Sequence, residues 1–389
     1  MQMSTPINLA VFSAPLGSGG AERHTVRVLN ELPIDRYRIT VLCPARRGEF
    51  EDDLRSEIAV HHVGSSQILR RSATLGRLSA WFGLRRKLTS DPPDLLLSVQ
   101  DAQNAIALSV NRSLRHPVRQ ILVVQNSIKD AYPSRWSPGQ AWIRHSIRTQ
   151  YQEAAYTVAL SQGVGHALCE WNPRIRGRMS VIYNAGIDDH LLESCRKARG
   201  NQTLVPKVPV IIAAGRLSRQ KGYPYLLGAL AQLRDEGLLF EQWILGVGPL
   251  ESQLREQVAR LQLTDKVRFL GFNKDPFQFM AQASVFVLPS LYEGFGNVIV
   301  EAMACGVPVV ASDCPHGPAE IITPDVNGLL VPPANANSLA SALRRLLVDA
   351  ELRHRLAVAG EVRARDFHAR TISGQYDRLI SKAIGLAPA

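Results

Sequence analysis

The sequence lacks a long apolar run, because charged or polar residues interrupt every apolar stretch of its 389 residues. A helix that crosses a bilayer needs about twenty consecutive apolar residues, so we expect no membrane-spanning segment. The stretch from Met1 to Pro6 also lacks the basic start and small-residue cleavage site of a secretory signal peptide. These absences favour a cytoplasmic protein.

Patterned cysteines and acidic metal motifs are missing as well. The five cysteines show no metal-ligand spacing: Cys43, Cys169, Cys195, Cys305 and Cys314. An odd, scattered set fits a reducing compartment. There is no Asp-x-Asp pair, so we expect that no metal or other cofactor is required. The net charge is +11, but no helix-turn-helix, zinc-finger or RNP-like pattern occurs, so nucleic acid is not the expected partner.

Acidic residues are absent between Glu57 and Asp91, and basic residues concentrate there. The cluster comprises Arg70, Arg71, Arg77, Arg85, Arg86 and Lys87. Apolar residues recur at helical spacing in the same segment: Leu75, Leu78, Trp81, Phe82 and Leu88. A basic amphipathic helix with Trp and Phe on its apolar side is typical of a membrane-surface element. A core-facing stripe with a solvated basic face explains the pattern equally well.

Short, β-branched apolar runs alternate with helix-like stretches along the whole chain. Several runs are apolar on both faces, which indicates parallel strands covered by helices. We therefore predict an α/β protein with two doubly wound, Rossmann-like domains, residues 1–190 and 209–370, joined by a polar linker at 191–208. Ligands bind outside the carboxyl ends of such strands, so the predicted site is the cleft between the domains.

One motif combines two carboxylates, Glu293 and Glu301, with an intervening Gly294-Phe295-Gly296-Asn297-Val298. The motif follows an apolar run and stands at the start of a helix-like run. This is the arrangement of a phosphate-binding helix N-terminus. The whole string resembles the Glu-x7-Glu signature of retaining, nucleotide-sugar-dependent glycosyltransferases of family 4. That family has the GT-B fold, with a last helix, here 371–389, that packs back toward the N-terminal domain.

The resemblance implies roles for individual residues. Gly215-Arg216-Leu217 with Lys221-Gly222 matches the family's string, in which an Arg and a Lys neutralise the departing diphosphate. Glu293 then meets the sugar hydroxyls and Glu301 accepts hydrogen bonds from the ribose. The backbone N–H groups of Asn297 and Val298 are expected to contact the phosphate.

Glycine-rich turns follow other predicted strands. Gly19 and Gly20 are expected to face the donor diphosphate, since glycine lets the backbone approach a ligand closely. The loops at Gly248 and Phe272 are expected to border the nucleoside, as they do in the family. Simple strand-to-helix turns explain these last two loops almost as well.

One position departs from the family's pattern. Many members place a histidine after the fifth strand, near the transferred sugar, where this sequence has Gln125. Glutamine can hydrogen-bond a sugar hydroxyl but cannot titrate. Catalysis here would then depend on electrostatic stabilisation, with the leaving phosphate taking the proton of the acceptor.

The sequence as a whole predicts a retaining glycosyltransferase that moves a hexose or N-acetylhexosamine from a UDP-sugar. A lipid-linked or membrane-associated glycan is the expected acceptor, bound on the side of the protein that carries the basic segment. If that segment contacts an anionic membrane surface, the protein is a peripheral membrane protein. Alternatives are a GDP-sugar donor, as in a mannosyltransferase, a GT-B sugar epimerase, or a non-catalytic nucleotide-sugar-binding protein.

Overall fold

A computed structural model describes residues 5–17, 19–44, 47–64, 73–125, 137–200 and 207–386. The chain divides into two compact units, unit 1 of Met1–Ala185 with Ala369–Ala389 and unit 2 of Gly186–His368. The boundary lies upstream of the linker predicted at 191–208, and the first part of that segment is helical. Arg70 and Arg71 lie outside the described residues.

Unit 1 contains a parallel sheet with the strand order β3-β2-β1-β4-β5-β6-β7. Its strands are β1 (Ile7–Phe12), β2 (Tyr37–Cys43), β3 (Ala59–His62), β4 (Leu95–Val99), β5 (Gln120–Val124), β6 (Tyr156–Ala159) and β7 (Met179–Val181). Between them run α1 (Gly20–Glu31), α2 (Ala73–Ser90), α3 (Asp101–Arg112), α4 (Pro138–Thr149) and α5 (Gln162–Trp171). Strands β4 and β5 are buried along their whole length, as expected for strands covered on both faces.

Unit 2 contains a second parallel sheet with the order β10-β9-β8-β11-β12-β13. Its strands are β8 (Val210–Ala214), β9 (Glu241–Leu245), β10 (Val267–Gly271), β11 (Val285–Leu288), β12 (Val309–Ser312) and β13 (Leu329–Val331). Its helices are α6 (Asp189–Gly200), α7 (Tyr223–Asp235), α8 (Glu251–Arg260), α9 (Phe277–Met280), α10 (Asn297–Ala304), α11 (Pro318–Ile321), α12 (Ala336–Val348) and α13 (Ala350–Ala364).

The strand order reverses once in each sheet, between β1 and β4 in unit 1 and between β8 and β11 in unit 2. The two strands on either side of each reversal are parallel neighbours, so the loops that follow them leave the same edge of the sheet. Open α/β sheets bind ligands at such a reversal. The predicted class, α/β with two doubly wound sheets, is confirmed.

The last helix, α14 (Ala369–Ile384), belongs to unit 1 and packs on α1. Ile372, Tyr376 and Ile380 lie in the same apolar core as the α1 residues Val26 and Leu29. The hydroxyl of Ser373 also donates to the carbonyl oxygen of Val28 at 3.1 Å. Chain segments that are far apart in sequence therefore complete one core.

Two buried side chains of α1 hold Ala185, the residue at which the chain leaves unit 1. The N–H of Ala185 donates to His24 Nδ1 at 2.9 Å, and its carbonyl accepts from Arg27 Nη1 at 3.4 Å. His24 Nε2 lies 3.4 Å from the Tyr376 hydroxyl. Burial, reinforced by the charge of Arg27, lowers the pKa of His24 to about 3, so its ring is neutral at neutral pH.

A disulfide joins Cys195 of α6 to Cys305, the residue that follows α10. The expectation that the scattered cysteines fit a reducing compartment does not hold for this pair. The two residues are 110 positions apart, so local spacing carries no sign of the bond. In the described part of the chain, no helix combines the length and apolarity that crossing a bilayer requires.

Candidate active site

Lys221 and Glu293 meet at the strand-order reversal of unit 2. Lys221 ends the 3-10 turn Arg219–Lys221 in the loop after β8, and Glu293 lies in the loop after β11. Lys221 Nζ is 2.6 Å from Glu293 Oε1, and their side chains are 16% and 8% exposed. Because β8 and β11 are neighbours, the fold itself brings these two charges together.

Further hydrogen bonds fix Glu293. Ser290, in the loop after β11, donates its hydroxyl to the same Oε1 at 2.6 Å. The Glu293 backbone N–H donates to the Pro315 carbonyl and its carbonyl accepts from the His316 N–H, each at 2.8 Å. The Lys221 and Ser290 bonds both use Oε1, so neither engages the second carboxylate oxygen.

The loops after β8 and β11 are also joined through their backbones. The N–H of Leu291 donates to the Gln220 carbonyl at 2.7 Å, and Gln220 Nε2 donates to the Tyr292 carbonyl at 3.0 Å. Gly222 has a φ of +63°, and a Cβ there would lie 2.0 Å from the Pro289 carbonyl oxygen. Sequence reasoning missed Ser290 and Gln220; the signal available was their position directly beside the predicted Glu293 and Lys221.

Helix α10 begins directly beyond Glu293. Gly296 precedes it with a φ of +102°, a conformation that favours glycine. Asn297 and Val298 form its first turn and are half-buried, as is Gly294. Glu301 is 5% exposed one turn later, so a second carboxylate is buried near this helix start. Phe295 is buried, with its ring centroid 5.2 Å from that of Phe367.

The charge of Glu293 affects one buried thiol, Cys314, and one buried phenol, Tyr223. Burial, together with the Glu293 carboxylate, raises the pKa of the Cys314 thiol to about 12. The same two causes raise the pKa of Tyr223, whose hydroxyl donates to the Gly215 carbonyl at 3.1 Å. Both groups are therefore neutral at neutral pH. Within the described ranges, no group of three or more His, Cys, Asp or Glu side chains could hold a metal ion.

The remaining unit 2 residues predicted for the site lie on neighbouring loops. Arg216 follows β8 and is exposed, whereas Lys221 is half-buried. Gly248 follows β9, where a Cβ would lie 2.4 Å from the Leu217 carbonyl oxygen, so glycine permits this close approach. Phe272 follows β10 and is 44% exposed. All three leave the carboxyl edge of the sheet that carries Lys221 and Glu293.

The unit 1 residues lie at the carboxyl edge of their own sheet. Gly19 precedes α1 and Gly20 begins it, and both are exposed. A carboxylate oxygen of Glu22 folds back against Gly19, while Gln100 Nε2 donates to Glu22 Oε1 at 2.9 Å. Gln125 follows β5 and is 7% exposed; among the described residues its Nε2 has no hydrogen-bond partner.

Helix α2 does not carry the single apolar stripe predicted from its sequence. Leu88 is buried, and Trp81 Nε1 donates to Ser109 Oγ of α3 at 3.1 Å, so both residues face the protein. Arg77 packs against Gly139 of α4, and Lys87 Nζ pairs with Asp91 at 2.7 Å. The residues that remain on an exposed face are Leu75, Leu78, Phe82, Arg85 and Arg86.

Two family models match consecutive parts of the chain. Residues 18–190 match the model described as Glycosyltransferase Family 4, and residues 196–363 match the model described as Glycosyl transferases group 1. The first match covers most of the longer segment of unit 1, and the second lies within unit 2.

Curated relatives share sequence over part of the chain. The N-acetylgalactosamine-N,N'-diacetylbacillosaminyl-diphospho-undecaprenol 4-alpha-N-acetylgalactosaminyltransferase of Campylobacter jejuni is 34% identical over 190 residues, 49% of this chain and 50% of the relative. The lipopolysaccharide core biosynthesis glycosyltransferase LpsD of Rhizobium meliloti is 32% identical over 176 residues, 45% of this chain and 50% of the relative. The chain thus spans about half the length of these relatives.

Solved structures match nearly the whole chain. HepE of Anabaena, in complex with UDP and glucose, aligns with a TM-score of 0.80 and 25% identity over 97% of this chain and 100% of HepE. Sucrose-phosphate synthase of Thermosynechococcus elongatus aligns with a TM-score of 0.81 and 20% identity over 97% of this chain and 99% of the synthase. The predicted GT-B fold is confirmed. Residues 18–190 are thus similar to the family 4 glycosyltransferases, and residues 196–363 to the group 1 glycosyltransferases.

Proposed function

We propose that the chain is a retaining glycosyltransferase that moves a hexose or N-acetylhexosamine from a UDP-sugar to a lipid-linked or membrane-associated glycan, at the cytoplasmic face of a membrane. The observation that carries the proposal is the Lys221–Glu293 pair, 2.6 Å apart at the strand-order reversal and beside the start of α10. A cation, a carboxylate and a helix N-terminus at one corner suit a phosphate with a sugar attached to it.

The charged groups of the site stabilise the leaving group in the proposed reaction. The bond between the sugar anomeric carbon and the phosphate oxygen breaks, and its electron pair leaves with UDP. Lys221 and Arg216 stabilise the negative charge that develops on the diphosphate, and the first-turn N–H groups of Asn297 and Val298 add to this field. The acceptor oxygen then bonds to the anomeric carbon from the face that UDP leaves, and its proton passes to the leaving phosphate. No metal ion is required in this scheme.

Glu293 orients the donor sugar in the proposal. Its Oε1 is already bound by Lys221 and Ser290, which leaves Oε2 to accept a hydrogen bond from a sugar hydroxyl. Glu301 holds the ribose, while the loops at Gly248 and Phe272 border the base. In unit 1, the buried amide of Gln125 is proposed to hydrogen-bond a sugar hydroxyl, and Gly19 and Gly20 to approach phosphate.

The choice of donor and acceptor takes support from the relatives. HepE was crystallised with UDP and glucose, and the Campylobacter relative acts on a diphospho-undecaprenol substrate by its name. A UDP-sugar and a lipid-linked glycan are the corresponding classes for this chain.

The test begins with a thermal-shift panel of UDP-, GDP- and ADP-sugars, because a ligand bound by the native state raises the melting temperature. Transfer of sugar to a lipid-linked acceptor is then measured, with the anomeric configuration of the product determined by NMR. Glu293→Gln and Lys221→Met should lower kcat by about 10²- to 10³-fold, the usual effect of removing one transition-state stabilising group. Arg344→Gln, which disrupts an exposed ion pair with Glu236, should leave kcat unchanged.

Each alternative has its own outcome. A rise in melting temperature with GDP-sugars only would indicate a GDP-sugar donor in place of a UDP-sugar. Conversion of the nucleotide sugar without an acceptor would indicate an epimerase, and donor binding without turnover or hydrolysis would indicate a binding protein. An inverted product would overturn retention.

A further inference from the structure

Helix α2 presents an exposed apolar surface that the proposed chemistry does not use. Leu75, Leu78 and Phe82 are 51%, 51% and 65% exposed, and their spacing of three and four residues places them on one side of the helix. Arg85 and Arg86 extend the same side and are exposed. We call these five residues the outer face of α2.

The apolar residues of the outer face are not needed for the core of unit 1. Ala80, Leu84 and Leu88 are 1%, 0% and 2% exposed and form the opposite side of α2, within an apolar cluster that includes Phe12 and Leu96. One helix therefore carries two apolar sides, of which only one is buried in unit 1. Exposed Phe and Leu side chains in a row are unfavourable in water unless they bind a partner.

Phe82 is held in place although it is exposed. Its ring lies edge-on to that of Trp81, with centroids 5.0 Å apart. The Trp81 N–H in turn donates to Ser109 Oγ of α3 at 3.1 Å. Phe82 thus contacts an anchored aromatic ring, which reduces the conformational freedom that it would lose on binding.

The charge of the helix determines which partner fits. Helix α2 contains no acidic residue, and its Lys87 pairs with Asp91 away from the outer face. Arg85 donates Nε to Ser113 Oγ at 3.2 Å, which fixes the position of its guanidinium. Apolar side chains beside arginines complement a bilayer whose acyl region lies beneath anionic headgroups.

We propose that the outer face of α2 docks onto an anionic lipid bilayer. Leu75, Leu78 and Phe82 enter the headgroup–acyl boundary, and Arg85 and Arg86 contact the lipid phosphates. Only the biological role of this docking rests on the proposed function: docking would bring the protein to a lipid-linked acceptor. It needs neither donor nor acceptor to be tested.

The experiment is co-sedimentation of the full chain with vesicles of phosphatidylcholine, with or without phosphatidylglycerol. The protein should bind the anionic vesicles and lose binding as salt rises. Arg85→Gln/Arg86→Gln should weaken the partition constant by on the order of tenfold or more, given the attraction of each basic residue to an anionic surface. Phe82→Ser should weaken it by roughly fivefold or more, because its apolar ring no longer enters the bilayer.

Matched controls lie in unit 2. Leu239→Ser removes an apolar side chain that is 67% exposed, and Lys207→Gln/Arg260→Gln removes two exposed positive charges. Both should bind anionic vesicles like the wild type. Equal binding to neutral vesicles, absence of binding, or an equal loss in the controls would overturn the proposal. So would a dimer in analytical ultracentrifugation that Phe82→Ser dissociates, because the face would then bind a second copy. Transfer activity on a water-soluble acceptor separates failure of docking from failure of the proposed function.

Discussion

Lys221 Nζ lies 2.6 Å from Glu293 Oε1, although 72 residues separate the two in the sequence. The contact exists because β8 and β11 are adjacent strands and the loops that follow them are hydrogen-bonded to each other. The cation proposed for the diphosphate and the carboxylate proposed for the sugar thus form one ion pair. A change in either residue should affect both stability and catalysis.

Removal of Lys221 alone should destabilise the free protein. In Lys221→Met the buried Glu293 carboxylate keeps Ser290 but loses its counter-charge, which should cost about 3 kcal/mol of unfolding free energy. Glu293→Gln leaves the more exposed Lys221 unpaired, so its cost should be smaller. Urea denaturation of both variants and of the double variant measures the effects. A double variant whose loss equals the sum of the single losses would show that the pair is not coupled.

The fold could be predicted from sequence and candidate site residues could be named, but the contacts between those residues could not be predicted. Apolar runs such as Leu95–Val99 and Val210–Ala214 predict parallel strands, because each is apolar on both faces. The sequence does not give the strand order, so the Lys221–Glu293 contact was not predicted. Helix α2 shows a second limit: apolar residues on two sides of a helix look like one stripe until the position of the core is known.

The Cys195–Cys305 bond should stabilise unit 2, because it links α6 to the end of α10 across 110 residues. Its loss in Cys305→Ser should cost about 2–4 kcal/mol of unfolding free energy. Denatured, unreduced protein should show three reactive thiols of its five cysteines in a dithionitrobenzoate assay. Cys43→Ser, which removes a free buried thiol, should remain sensitive to dithiothreitol, whereas Cys305→Ser should not. Five reactive thiols would contradict the bond.

His24 should make the stability of unit 1 depend on acid. The pKa of His24 is lowered to about 3 in the folded protein, from 6.5 for an unperturbed histidine. Between these values the unfolded chain binds more protons, so the contribution of His24 is complete above pH 6.5 and is lost as the pH falls toward 3. The loss should be about 1.4 kcal/mol for each pH unit in this window.

Comparison with His24→Asn isolates this effect from that of the other titrating groups. The Asn carbonyl oxygen branches at the same carbon as Nδ1, so it can accept the Ala185 N–H without titrating. The difference in unfolding free energy between wild type and variant should shrink between pH 6.5 and pH 4, measured by urea denaturation. Parallel pH profiles would show that His24 does not carry the dependence.

Gly222 should be required to keep the loops of Lys221 and Glu293 together. Its φ is +63°, and an added Cβ would lie 2.0 Å from the Pro289 carbonyl oxygen, so Gly222→Ala must push the two loops apart. Gly237→Ala is the matched control, because Gly237 has a φ of +77° and no heavy atom within 4 Å of a Cβ built there. The control should lose about 1–2 kcal/mol through its left-handed backbone alone and keep its kcat. Gly222→Ala should lose more stability and at least tenfold in kcat, since displacement of Lys221 weakens stabilisation of the leaving group. Equal kcat in the two variants would show that catalysis does not need this contact.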